Sequence, residues 1–443
     1  MLSLNNFSLL KEKLTYFIIS IYIFSFFFEH YLKFEFYFLR FSIVEIIFII
    51  IFFITLLIYK LDFIKFILKF DKKNIFEVLV YTILILKLIK YLLNFQNYYN
   101  LYELLIWMYM FAIYFVFKFY LTNDKNLIHY IENSFIAVSL IISVHIIYSF
   151  LLYKFGYESN NFWTIRDETY YPYIGASSVN FKSIFMTYNQ PAHLVAPGFL
   201  FLLSKFKDRL ILISLLIFYL LVMYLIKSKF LIVFFGIIGI YFIIINLKLQ
   251  KIKFIKIILL LCIVGLAIFY FIVTHFIVIE KGTINSSNFD LFSEYYFTDF
   301  TISLINYDIY GSLFLKLKYT ASEIAKNYDY ILFENSNYYN HEIVLKNFDN
   351  YTDPHSDYFG ALANYGILGF LIFLGFPIFI VLNYLRNFKK TKIYKDSFIY
   401  FLIIVMIFID AIIIDIFHVQ FIWIIFAMHL LGSDNNKITH KVE

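Results

Sequence analysis

The residue in this chain best suited to move a proton is His355, in the run Asp353-Pro354-His355-Ser356-Asp357-Tyr358. A neutral imidazole takes a proton from a hydroxyl, and carboxylates such as Asp353 and Asp357 favour the imidazolium that results. Pro354 constrains the backbone ahead of an apolar stretch, and Ser356 or Asp357 suits a helix cap there. A histidine at a helix start also serves structure alone, so both roles stay open. Two cationic pairs complete the set. Lys227 and Lys229 flank Ser228 in the tight connection IKSKF, and Lys316 and Lys318 alternate with apolar residues in LFLKLKY. Ammonium groups there either neutralise a lipid diphosphate through charge-assisted hydrogen bonds or anchor helix ends by snorkelling. Asp353 and Asp357 orient the histidine or bind a cation, but no Asp-X-Asp pair is placed for a metal, and none is expected.

The elements that must position these residues follow from composition. Of 443 residues, 62% belong to the AVILMFWYC set and 15% are charged, and the mean hydropathy is +0.77. No water-exposed surface of a compact globule accommodates such values. The expectation is an all-α polytopic membrane protein. Nucleic-acid binding and soluble secretion are poor readings, and a disulfide scaffold fails because Cys262 is the single cysteine. The aromatic content of 23% carries no functional weight, since Phe, Ile, Tyr, Asn and Lys are over-used together.

A sliding hydropathy window gives about twelve spans: 14–28, 41–59, 75–93, 101–121, 127–153, 184–204, 210–226, 230–247, 255–279, 359–385, 397–414 and 417–431. Four parts result: helices one to five with an outer loop (1–183), helices six to nine (184–279), a long loop (280–358) and helices ten to twelve (359–443). Lysine and arginine crowd the connections after helices two, four, six, eight and ten. By the positive-inside rule that side is the cytoplasm, and both termini lie on it. The long loop, with five lysines against twelve acids, then lies outside. Lys227, Lys229, Lys316 and Lys318 are anomalous cations on that side. Glu45, Glu132, Asp410 and Asp415 lie in or near spans, where acids often mark ion paths; Arg40 or His418 would equally satisfy some of them.

The segment Tyr351–Leu374, YTDPHSDYFGALANYGILGFLIFL, resembles the signature of the O-antigen ligase and polymerase superfamily. There a His-Asn pair precedes a helix with a Gly-Ile-Leu-Gly-like turn, and His355, Gly366 and Gly369 have the family spacing. Ile226–Val233 is similar to the family's Ser-Arg element, Tyr188–Leu200 to its Pro-Asn-containing helix start, and Gly311–Ile324 lies where the family has an arginine-containing stretch. The likeness runs from about residue 184 to the end. Ser356 replaces the usual Asn, Lys229 and Lys316 replace arginine, and Ala192 replaces Asn. Lysine neutralises a phosphate as a point charge but cannot form a bidentate clamp.

The resemblance implies a GT-C-like, metal-independent membrane glycosyltransferase without cofactor, in the bacterial cytoplasmic (inner) membrane. Its donor would be an undecaprenyl diphosphate-linked glycan, and its acceptor a sugar hydroxyl on lipid A core for a ligase, or another carrier-linked repeat for a polymerase. His355 would be the base. Lys229 and Lys316, with Lys227 and Lys318, would hold the diphosphate, and Ser228, Ser356, Asp353 and Asp357 would support them. A glycan-lipid flippase or proton-coupled transporter is the competing class.

Overall fold

The computed structural model describes residues 4–28, 33–36, 39–69, 75–93, 95, 98–156, 166–171, 176–181, 189–206, 208–226, 277–281, 296–304, 307–312, 316, 319–320, 357–388, 395–411 and 419–434. The helices among them are α1 (Leu4–Ser25), α2 (Ile43–Leu68), α3 (Ile75–Leu93), α4 (Tyr98–Asn123), α5 (Leu127–Lys154), α6 (Asn189–Lys205), α7 (Arg209–Ile226), α8 (Asp357–Phe388), α9 (Lys395–Asp410) and α10 (Gln420–Asp434). The protein is therefore mainly helical. Three helical stretches, Ile43–Leu68, Asn100–Asn123 and Leu127–Lys154, are long and apolar enough to cross a membrane, and Lys13–Phe28, Leu210–Ile226, Ile367–Phe379, Ile399–Ile409 and Gln420–His429 are shorter apolar stretches. The expected spans 230–247 and most of 255–279 lie outside the described residues.

The connections depart from the all-helical expectation. Strands β1 (Lys33–Phe36) and β2 (Leu39–Ser42) form one hairpin, and β3 (Arg166–Tyr171) and β4 (Ala176–Phe181) another. In the long connection, β5 (Ile277–Lys281), β6 (Tyr296–Leu304) and β7 (Tyr307–Ser312) form an antiparallel sheet in the order β5-β7-β6. Ile277–Ile279, expected to end the ninth span, is thus strand. A hydropathy window registers apolar residues without their partners, and β5 finds its hydrogen bonds on β7.

Charge pairs give α3 and α4 their antiparallel register. Glu77, near the start of α3, pairs with Lys118 near the end of α4, and Lys87, late in α3, pairs with Glu103, early in α4. Between these ends an aromatic core joins α3, α4, α8 and α10: Phe76 meets Phe376 and Phe426, and Trp107 meets Phe373 and Trp423.

α5 and α6 approach closely at Gly198. A Cβ placed there would lie 2.4 Å from Ser139 Cβ and 2.6 Å from the Phe135 carbonyl, and Ser139 Oγ donates across the gap to the Val195 carbonyl at 3.0 Å. Small residues let membrane helices pack at this distance. Gly198→Val is therefore expected to cost about 1–3 kcal/mol through overpacking, read as a lower melting temperature in detergent; an unchanged melt would disprove the close approach.

α2 is not continuous. Lys60 has φ 42 and ψ −121, which is outside helical values and unfavourable for a residue with a Cβ.

Candidate functional site

α8 begins at Asp357, two residues after His355. Asp353, His355, Ser356, Lys227, Ser228, Lys229 and Lys318 lie outside the described residues, and of Asp357 only the backbone is described. Lys316 is half-buried in a helical turn, and the Thr320 hydroxyl donates to its carbonyl at 2.9 Å. That bond spans one turn, so Lys316 and Thr320 share a face. No contact between two of the residues singled out by sequence falls among the described residues.

The fold assembles instead a cluster that sequence reasoning missed. Lys87 Nζ donates to Glu103 Oε2 at 2.8 Å and to Tyr365 Oη at 2.7 Å, and Tyr365 Oη donates to the same Glu103 oxygen at 3.0 Å. The three groups close a ring of hydrogen bonds across α3, α4 and α8. Side-chain exposure is 5% for Lys87 and 14% for Glu103. The Lys87 ammonium also lies 5.2 Å from the Trp107 ring centre and 5.0 Å from that of Tyr365, and Lys90 lies 5.0 Å from the Tyr365 ring. Desolvated cations gain from aromatic faces. One turn before Glu103, Asn100 buries both amide atoms, and neither has a hydrogen-bond partner among the described residues.

Local sequence explains the convergence. Lys87 and Lys90 are three apart on α3, while Asn100, Glu103 and Trp107 stand at i, i+3 and i+7 on α4, so each set forms one helical face. Tyr365 comes from the third turn of α8. A signal was available in the sequence: Lys87 sits six residues before the end of α3, and Glu103 five residues after the start of α4. Complementary charges at nearly equal distances from a connection of a few residues meet in an antiparallel hairpin. The apolar average of each span hides them.

Of the four acids in or near spans, Glu45 and Glu132 have partners among the described residues. Glu45 belongs to a capping box: the Ser42 amide donates to Glu45 Oε2 at 2.6 Å, and the Glu45 amide donates to Ser42 Oγ at 3.4 Å. Arg40 lies on β2 opposite Glu35. Glu132 accepts from the Tyr400 hydroxyl and pairs with His129 at 3.3 Å and Lys205 at 3.8 Å, joining α5, α6 and α9. Asp410 ends α9, and its side chain, like Asp415 and His418, lies outside what is described. Among the described residues, no group of three His, Cys, Asp or Glu side chains could hold a metal.

Chemically, the Lys87–Glu103–Tyr365 ring can hold α8 against the α3–α4 hairpin, and α8 is the helix that follows His355 directly. Compared with known protein families, curated proteins and solved structures, the chain matches none.

Proposed function

We propose that this chain is an O-antigen ligase-like transferase that moves a glycan from undecaprenyl diphosphate to a sugar hydroxyl on the lipid A core, at the periplasmic face of the bacterial inner membrane. The observation that carries the reading is the run YTDPHSDYFGALANYGILGFLIFL, in which His355 stands two residues ahead of α8. Positive-inside topology puts this junction outside the cytoplasm, together with the Lys87–Glu103–Tyr365 end of the bundle. Support also comes from what such a transfer requires of the protein. The base must be held at the membrane surface, and the helix behind it is tied to α3 and α4 by charge-assisted hydrogen bonds of Tyr365 to Lys87 and Glu103.

His355 takes the proton from the acceptor hydroxyl as oxygen attacks the anomeric carbon. The bond to the diphosphate oxygen breaks, and Lys229 and Lys316 stabilise the charge that develops on the leaving group. Lys227 and Lys318 add positive potential, and Ser228, Ser356, Asp353 and Asp357 orient these groups.

The test is a transfer assay with purified protein, a carrier-linked glycan and lipid A core, run in the presence of a chelator. Lys229→Ala or Lys316→Ala is expected to lose roughly 1.5–3 kcal/mol of transition-state binding, about 10- to 150-fold, while Arg at either position retains activity. Wild-type rates for both alanine variants would remove them from the site, and turnover that needs a divalent ion would overturn the metal-free mechanism. A polymerase would extend carrier-linked repeats in the same assay and leave the lipid A core unmodified.

A further inference from the structure

We propose that the short limb following the break in α2, Leu61–Leu68, is a docking surface for the headgroups of anionic phospholipids. This inference is independent of the transferase reading and uses only the membrane character of the chain.

The break is sharp. Phe52 and Phe63 have ring centres 6.0 Å apart, although eleven residues of straight helix would separate them by about 16 Å. The limb therefore folds back towards the first part of α2. Its inner face is pinned: Phe63 and Phe66 each lie 5.2 Å from the ring of Phe119 on α4, and Tyr81 Oη on α3 donates to the Ile67 carbonyl at 2.8 Å. These contacts hold Lys60 in its left-handed backbone, because relaxing it would pull both rings off Phe119.

The outer face is of another kind. Leu61, Ile64 and Leu68, at i, i+3 and i+7, are 65%, 41% and 74% exposed. Beside them Lys60, Lys65 and Lys69 are exposed, with Asp62 as the acid in the same stretch. An apolar stripe bordered by lysines is what an interfacial helix presents to a lipid surface.

Depth agrees with this. Residues 43–59 of α2 extend about 26 Å, close to the roughly 30 Å hydrocarbon layer. The break thus falls at the bilayer boundary, where water can satisfy the backbone groups that the helix releases. There the apolar stripe meets acyl chains and the three lysines meet phosphates. Net negative charge in the lipid is what three lysines against one aspartate select.

The test uses the full chain with Cys262→Ser and Ile64→Cys, labelled with an environment-sensitive dye. It is placed in nanodiscs of phosphatidylcholine with or without phosphatidylglycerol, and lipid retention is read by native mass spectrometry. The expected result is a blue-shifted dye and selective retention of phosphatidylglycerol. That preference should fall about fivefold for each of Lys60→Gln, Lys65→Gln and Lys69→Gln at low salt, and should weaken as salt rises. Equal retention by the triple variant, with an unchanged melting temperature, would overturn the proposal. So would a dye that stays water-exposed beside phosphatidylglycerol, or one shielded only in a dimeric fraction, which would assign the face to a second copy of the chain.

Discussion

His355→Ala is expected to lower glycan transfer by about 10²–10⁴-fold while the protein level and melting temperature stay unchanged. A sugar hydroxyl holds its proton tightly at neutral pH, and a positioned base contributes a factor of that size. In the proposed mechanism Asp353 and Asp357, two residues away on either side, would supply the negative field that favours the imidazolium. Ser356→Ala should be milder, because in the proposed mechanism Ser356 would cap the helix or hold the acceptor and would not move the proton. The measurement is single-turnover transfer with purified variants and a carrier-linked glycan. Full turnover by His355→Ala would end the proposed mechanism.

Glu103→Ala is expected to destabilise the bundle by about 3–5 kcal/mol, the usual cost of leaving a buried charge without its partner. Lys87 would keep the Tyr365 hydroxyl and two aromatic faces but lose its counter-charge in a site where it is 5% exposed. Replacing both charges at once, as Lys87→Met with Glu103→Leu, should recover most of the loss, since an apolar pair of similar volume often serves as well as a buried ion pair. Melting in detergent, followed by loss of the monodisperse peak, distinguishes the two outcomes. If Glu103→Ala melts with the wild type, the ring carries no stability, and its hold on α8 is a consequence of packing alone.

The long helices were legible in the sequence because each is an uninterrupted apolar run, and α3, α5 and α7 match the hydropathy spans to within a residue or so. The break in α2 was not. Tyr59-Lys60-Leu61-Asp62 contains neither glycine nor proline, and the left-handed lysine is imposed by rings on another helix. The strands were missed for a related reason: a polar run such as RDETYY becomes a strand through its partner ASSVNF, which a linear scan does not pair with it. In the candidate site, sequence singled out the junction before α8, where proline, histidine and acids cluster. It passed over Lys87 and Glu103, which look like dilute charges in apolar spans until the hairpin register brings them together.

The hydrogen-bonded ring also has a timetable. Lys87 and Glu103 are 16 residues apart, whereas Glu103 and Tyr365 are 262 apart. At translation rates of about 5–20 residues per second, the hairpin waits roughly 13–50 seconds before Tyr365 leaves the ribosome. For that interval the buried ammonium has the carboxylate but not the hydroxyl. The ion pair is thus the part of the ring that must stand alone during biogenesis, and α8 closes an arrangement that its two partners have already made electrically neutral.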